Sequence, residues 1–364
     1  MSATLRVYLL KHFLKLTLTS VLTLGALFLV FDILAQSDDV LAGGMVAWKA
    51  VLLYGALRFP QILSLVMPIA GMLAIIGVYA KLHGQLEVTA MTSAGIRLTR
   101  VVGVFIFGAF VVAALHFIFL NSVVIEASKN LRHWQENDFR PTSEQAAVTR
   151  YPAWFEVEDK ILFVQNAADD NSVLKNVKII ERGPDGIMQT YTMAGEARHL
   201  EGTRWQLNGV DLRKLETGET VKAADRKINL NSKPEDLAIF NKKIEEMALE
   251  EMWTLTQASH LTNNMGYYYD TWFQRRFSQP LSTVVMMLIA TPLLFMRPRQ
   301  RNKTGLFFGV VLLGFVFFIG ERIALAMGET GEIPASLSVW GPPAAFAGVM
   351  FLYLLWQESP LARR

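Results

Sequence analysis

The polar middle of the chain contains, at residues 153–164, the sequence Ala153-Trp154-Phe155-Glu156-Val157-Glu158-Asp159-Lys160-Ile161-Leu162-Phe163-Val164. Two short runs rich in β-branched and aromatic residues flank the turn-like Glu158-Asp159, and this pattern predicts a β-hairpin. The hairpin lies in a polar block from Glu126 to Asp270, which holds 24 Asp and Glu residues against 18 Lys and Arg residues. Three long apolar runs precede the block and three follow it, so a mildly acidic domain interrupts an otherwise apolar chain.

More strand-like runs follow within the same block. Asn176–Glu181 and Met188–Met193 flank Gly183-Pro184-Asp185-Gly186, which is a dense turn signal. Short strands separated by such turns are typical of sandwiches and jelly rolls. We therefore expect residues 126–268 to form an inserted, all-β, jelly-roll-like domain.

The two flanking parts of the chain are predicted to be α-helical and embedded in a membrane. Each contains three apolar runs of about 20 residues, the length that crosses a hydrocarbon core of roughly 30 Å. The six runs lie near Leu14–Leu34, Val51–Val78, Val101–Ile125, Trp272–Met296, Gly305–Met327 and Ser336–Trp356. Residues 1–125 and 269–364 are thus expected to supply transmembrane helices 1–3 and 4–6. Pro60 and Pro68 in the second run predict kinks rather than helix ends, and the fourth run contains Pro280 and Pro292.

The first run allows a second interpretation, because Arg6, Lys11 and Lys15 precede it and a basic start is also typical of a signal peptide. The run is longer than a typical signal core, however, and no small-residue cleavage site follows it. These two features favour a retained membrane helix.

The distribution of basic residues predicts the orientation, since Lys and Arg near the ends of spans stay on the cytoplasmic side. When the span ends are alternated, both termini and the loops Lys81–Arg100 and Arg297–Lys303 share one side, with 12 basic residues. The short links on the other side hold one basic residue, Lys49, with four acidic ones. Both termini are therefore expected in the cytoplasm and the β-domain outside it.

Several classes of chemistry are not supported by the sequence. The absence of cysteine excludes disulfides, thiolate zinc sites and thiol nucleophiles. We find no phosphate-binding P-loop, no Gly-x-Ser-x-Gly elbow and no histidines at helical metal spacing. The excess of base lies beside apolar runs, which argues against a nucleic-acid partner. We therefore expect no enzyme, no catalytic residues, no bound metal and no cofactor.

A short segment between the second and third runs, residues 84–95, is too apolar for a free loop and too short to span. Leu86, Met91 and Ala94 can share one face of a helix, with Glu87 on another side and Gly95 ending it. From spacing alone, this helix could dock a soluble partner or lie on the lipid surface.

Charged residues also occur at membrane depth. Asp32, Arg58, Glu321 and Arg322 lie within or at the outer third of apolar runs. They are candidates for a polar cavity lining, although snorkelling or a structural ion pair remains open. Gly305 and Gly309 form a small-residue face that permits close helix contact, either with another chain or within this one.

Two segments resemble a known family. Gln85–Gly95 is similar to the coupling-helix pattern of the LptF/LptG permeases of the bacterial lipopolysaccharide exporter, and Tyr267–Ser282 looks like the start of their fourth span. The resemblance covers the whole chain and is closer to LptG.

The resemblance implies a non-catalytic permease subunit in the bacterial inner membrane, with its β-domain in the periplasm. Expected partners are an LptF-type paralogous permease, an LptB-type cytoplasmic ATPase dimer that binds ATP, and an LptC/LptA-type periplasmic bridge protein. ATP hydrolysis would drive lipopolysaccharide from a cavity between the permeases, through the β-domains and onto the bridge. The residues implied in ATPase docking are Leu86, Glu87, Met91, Ala94 and Gly95.

One stretch departs from the family pattern. LptG members often carry lysines near the outer end of the first span, whereas Leu29–Asp39 has none. Lys49, Arg58 and Arg322, with Asp32 and Glu321, are the expected charged rim of the cavity. The alternatives are a non-transporting scaffold or sensor with a ligand-binding periplasmic β-domain, and a permease of a different ABC exporter. The short cytoplasmic segments favour transport.

Overall fold

The computed structural model describes residues 1–140, 153–157, 159–168, 171–183, 187–215, 218–234, 244–257, 266–295 and 303–358. The chain divides into two compact units. One unit comprises residues 1–141 and 271–364, and the other comprises residues 142–270. The first unit is helical, and the second contains a β-sheet.

The helices of the described residues are numbered here in chain order. They are α1 (Ala3–Ala42), α2 (Ala47–Gly84), α3 (Glu87–Ser93), α4 (Leu98–Phe119), α5 (Ile125–Glu136), α6 (Leu249–Gln257), α7 (Gly266–Ala290), α8 (Lys303–Glu329) and α9 (Ala335–Glu358). A π-helical turn, Leu120–Val124, joins α4 to α5, and 3-10 turns cover Ile244–Glu246 and Thr291–Phe295. Six helical segments of this described set are long and apolar enough to cross a membrane. The predicted number of spans is therefore confirmed.

The prolines of the second and fourth spans have different local effects. α2 is continuous through Pro60 and Pro68, as the sequence predicted. Pro280 also lies inside α7, but Pro292 lies in the 3-10 turn that follows it. Because proline removes a backbone donor and crowds the preceding turn, this change of helix type is its expected local effect.

The helical unit has a core to which α1, α2, α4, α7 and α8 contribute. Its fully buried side chains include Phe13, Ile75, Phe105, Ile289 and Phe317. Close helix contacts in this core depend on small residues. A Cβ added at Gly314 of α8 would lie 2.6 Å from the Sδ atom of Met72 on α2, so the thioether of Met72 would have to move to make room for a side chain there.

A second cluster lies where α1 meets α2 and α5. It consists of Val40, Ala50, Tyr54, Leu131, Trp134 and Phe139. The turn between α1 and α2 requires glycine, since a Cβ at Gly43 would collide with the carbonyl oxygen of Phe139, and Gly44 adopts a φ of 80°.

The helix that follows the third span extends further than the sequence indicated. Residues 126–136 continue the helix through the π-helical turn, and the compact units divide after Pro141. The boundary expected at residues 125 and 126 therefore lies inside a helix. The polar residues of this segment led to its assignment to the insert, but one face of the segment packs on α1 and α2.

The described strands form one antiparallel sheet. They are β1 (Ala153–Val157), β2 (Lys160–Ala167), β3 (Val173–Arg182), β4 (Met188–Glu201), β5 (Arg204–Lys214) and β6 (Thr220–Asn229), paired in sequential order. Val157 pairs with Lys160, so the predicted hairpin is confirmed. The turn residues Pro184 to Gly186 lie outside the described residues. The described strands follow one another in a sequential, meander-like order, and they confirm the predicted inserted antiparallel β-domain.

One face of the sheet carries a buried apolar cluster around Trp205, whose indole nitrogen donates to the carbonyl of Ser232 at 2.9 Å. In β5 the buried positions are Trp205 and Leu207, then Val210 and Leu212. The alternation therefore shifts by one residue at Gly209, whose φ is 64°. Such an irregularity keeps both ends of the strand facing the same core.

Candidate functional site

The short helix α3 lies between the second and third spans, and its two ends are defined by backbone geometry. Leu86 precedes it in a left-handed conformation with φ 56°, and Gly95 follows it with φ 75°. The amide of Gly95 donates to the carbonyl of Thr92, and that of Ile96 donates to that of Met91, each at 3.0 Å. This is the Schellman arrangement in which glycine ends a helix, as the sequence predicted for Gly95.

Burial divides α3 into an inner and an outer face. Val88 and Met91 are each 7% exposed and belong to the core of the helical unit. Leu86 is 62% exposed, and Ala94 and Gly95 are exposed as well. Met91 therefore does not share an exposed face with Leu86 and Ala94, because Met91 follows Val88 at the i, i+3 spacing of the inward side. The docking role of these residues stays a prediction.

Glu87 is attached to the first span. Its Oε1 atom accepts a hydrogen bond from the hydroxyl of Tyr8 at 2.9 Å. The Nζ atom of Lys81 lies 5.7 Å from the centre of the Tyr8 ring and 3.0 Å from Nδ1 of His12. Each carboxylate oxygen can accept further hydrogen bonds, and no described residue donates to Oε2. Glu87 is thus oriented by α1 and retains capacity for another cation.

At the other end of α1, Asp32 and Arg58 form an ion pair. The Nε and Nη2 atoms of Arg58 donate to the two carboxylate oxygens of Asp32 at 3.0 and 3.2 Å, and Tyr54 donates to Oδ2 at 2.7 Å. Arg58 also donates to Gln61, whose amide donates to Ser128 at 2.7 Å. This network joins α1, α2 and α5. Of the interpretations that the sequence left open, a structural ion pair therefore describes the geometry of Asp32 and Arg58.

The charges of the second half lie on α7 and α8. Glu321 is buried and accepts a hydrogen bond from Ser282 of α7. The guanidinium of Arg322 lies 5.3 Å from the centre of the Phe318 ring. Arg275 of α7 is 6% exposed, lies 5.4 Å from the Trp272 ring, and has an Nε atom without a partner in the described part of the chain. No pattern in the sequence predicted that this arginine would be buried.

The structure does not gather the predicted rim residues into one contact network. Lys49 is exposed, and its Nζ atom lies 5.6 Å from the Trp48 ring centre. Throughout the described ranges, no hydrogen bond or ion pair connects Asp32 and Arg58 with Lys49 or with Glu321 and Arg322. Their shared role at a cavity stays a prediction.

A buried polar cluster that sequence reasoning missed joins the two halves of the helical unit. Ser64 of α2 lies 2.9 Å from Nε2 of His116 on α4 and accepts a hydrogen bond from Gln279 of α7 at 3.2 Å. The hydroxyl of Thr283 lies 3.4 Å from Nδ1 of His116. Polar groups in an apolar bundle must find partners, and these partners come from both halves. The only sequence signal was a histidine inside an apolar run.

Gly305 and Gly309 lie on an open face of α8. A Cβ at either position would meet nothing within 4 Å among the described residues. Large exposed side chains continue this face along the helix at Phe308, Leu312, Phe315, Ile319 and Ile323. Packing within the described chain therefore does not account for the two glycines.

Comparison with known proteins identifies relatives along nearly the whole chain. A profile of the family described as "Lipopolysaccharide export system permease LptF/LptG" matches residues 7–357. The chain is also similar to "Lipopolysaccharide export system permease protein LptG" of Haemophilus influenzae. The two are 21% identical over 366 residues, which cover 97% of each chain.

Proposed function

Because this chain belongs to the LptF/LptG family of lipopolysaccharide export permeases, we propose that it is one of two membrane subunits of an ABC exporter and that α3 receives the motion of a separate ATPase. The observation that carries the proposal is the construction of α3, which is a capped helix between two spans, buried on one face and exposed on the other. The ATP would be bound and hydrolysed by the partner.

Force on α3 would pass directly to the transmembrane bundle. Val88 and Met91 are packed in the same core as Leu82 of α2 and Val101 of α4. Burying a side chain of this size is worth about 1.5–3 kcal/mol, so separating α3 from the bundle would be costly. A partner that grips the exposed face would therefore move the spans together with α3.

The charge distribution supports a cytoplasmic position for α3. Arg97 and Arg100 follow it closely, and the loop Arg297–Lys303 on the same predicted side carries four basic residues. Under the positive-inside rule this side faces the cytoplasm, where an ATPase has access to ATP. The β-domain would then lie in the periplasm.

The cargo we propose is lipopolysaccharide, and the contacts of the rim residues suggest which cations would meet its phosphates. Asp32 neutralises Arg58, so Arg58 serves first to hold α1 against α2. Lys49 and Arg322 contact aromatic rings and, within the described structure, form no ion pair with a carboxylate. These two cations remain available for phosphate groups, which prefer positively charged hydrogen-bond donors.

The open face of α8 would pack against the second permease. Gly305 and Gly309 leave room for close helix approach, and the apolar side chains beyond them provide packing surface. Contacts between helices in lipid depend on such close packing rather than on burial from water.

The sheet would receive the bridge protein at an edge. Among the described strands, β1 and β6 each pair on one side only. An unpaired edge offers backbone donors and acceptors to an incoming strand, which is a common mode of chain recognition.

Co-purification in mild detergent tests the proposal. The full-length permease, expressed with its cognate exporter subunits, should retain a stoichiometric ATPase and stimulate lipopolysaccharide release in liposomes. Glu87→Arg should remove the ATPase from the complex, because it reverses the acceptor charge on the exposed side of α3. Mass analysis of the eluted subunits measures the result.

A matched control is Asp39→Arg, which reverses an exposed acid near the opposite end of α1. It should leave the ATPase bound. Retention of a stoichiometric ATPase by Glu87→Arg would contradict the docking site, and a complex that binds the ATPase but moves no lipopolysaccharide would contradict the cargo.

A further inference from the structure

A cavity of about 520 Å³ lies between the N-terminal ends of α1 and α4. It is separate from α3 and from the predicted cavity rim. Two arginines line it together with apolar groups, and the principal lining residues are Arg6, Val7, Leu10, Arg100, Gly103 and Phe107. Its volume falls in the range of roughly 300–1,000 Å³ that is typical of small-molecule sites.

The two arginines are not neutralised by the protein. The side chain of Arg6 makes one long contact, 3.5 Å from Nη2 to the carbonyl of Met1, and that of Arg100 makes none with a described residue. No acidic residue lines the cavity. Glu87, the acid of the nearby α3, is engaged by Tyr8. The mouth of the cavity therefore carries two free positive charges.

Charged and apolar lining residues are separated by depth. α1 begins at Ala3 and α4 begins at Leu98, so Arg6 and Arg100 lie in or next to the first turn of their helices. Leu10 and Phe107 lie one to two turns further into the spans, since each turn advances about 5.4 Å. The cations thus lie near the ends of the two helices, and the apolar lining residues lie deeper along them.

Gly103 leaves the space between the helices open. A Cβ at this position would meet no heavy atom within 4 Å, although the neighbouring Gly108 is in close contact with Phe13. A side chain at residue 103 would therefore enter the cavity without displacing the core.

We propose that this cavity binds one anionic phospholipid of the leaflet on the N-terminal side of the membrane. Its phosphate lies between Arg6 and Arg100, and an acyl chain lies along Val7, Leu10 and Phe107. Charge complementarity selects this occupant, because basic pockets between transmembrane helices bind acidic lipid head groups and a free anion would leave the apolar walls exposed. The bound lipid would hold the start of α1 against α4.

Native mass spectrometry of the full-length protein, delipidated in detergent and titrated with phosphatidylglycerol or phosphatidylethanolamine, tests this site. The wild type should bind one phosphatidylglycerol about tenfold more tightly than phosphatidylethanolamine, and Arg6→Gln with Arg100→Gln should remove that preference. Gly103→Leu should weaken both lipids equally, since it fills the space for the chain and leaves the arginines in place.

Two control variants distinguish specific lipid binding in the cavity from nonspecific attraction of acidic lipids to basic residues. Lys11→Gln with Arg97→Gln removes two exposed basic residues of the same region that do not line the cavity, and the lipid preference should persist. Gly348→Leu adds the same side chain at another open glycine, and lipid binding should be unchanged. Equal loss in the control and test variants would overturn the proposal. So would a photo-reactive residue at position 103 that captures a protein partner rather than a phospholipid.

Discussion

The helices α1 and α7 both qualify as membrane spans, yet the rest of the chain surrounds them very differently. Within the apolar stretch of α1, 11% is buried inside the protein. The corresponding value is 78% for the span Gly266–Phe295, which comprises α7 and the 3-10 turn that follows it. α1 is nevertheless the more apolar helix, and α7 contains the buried Arg275, Ser278, Ser282 and Thr283. Lipid is as apolar as a protein core, so hydrophobicity marks a span without indicating which spans are central.

The two helices are consequently held in place by different contacts. α7 packs on several sides, and its polar side chains find partners on α2, α4 and α8. α1 packs on one side through residues such as Leu9 and Phe13, and its ends are attached by Tyr8 and Asp32. α1 is therefore held by apolar packing along one side, together with the polar contacts of Tyr8 and Asp32.

The largest expected difference between the two spans is the loss in free energy of unfolding when a leucine is shortened to alanine. Leu293, in the 3-10 turn that ends the α7 span, is 0% exposed, and Leu18 of α1 is 60% exposed. Leu293→Ala should lower the free energy of unfolding by about 2–4 kcal/mol, because the surrounding side chains cannot fill the space. Leu18→Ala, its matched control, should change it by less than about 0.5 kcal/mol. Thermal unfolding in mild detergent, followed by tryptophan fluorescence, measures both, and equal losses would refute the comparison.

The next effect concerns the ion pair between Asp32 of α1 and Arg58 of α2. Arg58→Ala should lower the free energy of unfolding by about 1–2 kcal/mol, because it leaves the carboxylate of Asp32 half-buried without its cation. The double variant Asp32→Asn with Arg58→Ala should recover at least half of the loss, which a double-mutant cycle with the two single variants measures.

Arg198→Ala serves as the control for that cycle. Its pair with Glu196 has a short N to O distance of 2.6 Å, but the Arg198 side chain is 62% exposed. Exposed ion pairs contribute about 0–1 kcal/mol, so this variant should be near neutral. A larger loss at Arg198 than at Arg58 would show that burial does not determine the strength of these pairs.

The smallest effect is expected at the hydrogen bond between Tyr8 of α1 and Glu87 of α3. Tyr8→Phe removes the hydrogen bond that orients Glu87 and should weaken binding of the ATPase about two- to fivefold, since a partly exposed hydrogen bond contributes roughly 0.5–1 kcal/mol. The free energy of unfolding of the permease should fall by no more than about 0.5–1 kcal/mol.

Binding of the purified ATPase to immobilised permease measures that affinity. Tyr267→Phe, at a tyrosine that is 56% exposed, is the matched control and should bind as the wild type does. An unchanged affinity in Tyr8→Phe would mean that α1 does not orient Glu87 for docking.

Much of the architecture was predictable because its signals are local. Six apolar runs predicted six spans, and the two β-rich runs around the turn-like Glu158-Asp159 predicted the first hairpin of the sheet. Gly95 marked the end of α3, since only glycine adopts a φ of 75° at little cost. These features depend on residues that are close together in the sequence and on how apolar those residues are.

Other features depended on residues far apart in the chain. Met91 was predicted to share one helix face with Leu86 and Ala94, and its burial follows from packing in the core with α2 and α4. The partners of His116 lie on α2 and α7, and no periodicity links Ser64, Gln279 and Thr283. The change in the alternation of buried residues at Gly209 lies opposite Gly195 of β4, where the pairing of the two strands keeps its register.

By itself, the sequence determined that the chain has two apolar halves around a β-rich insert, and which residues carry charge at membrane depth, because hydrophobic length and charge are properties of the residues themselves. Only the tertiary structure decided that Asp32 is paired with Arg58, that Glu87 is held by Tyr8, and that Arg6 and Arg100 flank an open cavity. The physical reason is that pairing and packing depend on distances between helices, and in an apolar solvent many such arrangements satisfy the same hydrophobic pattern.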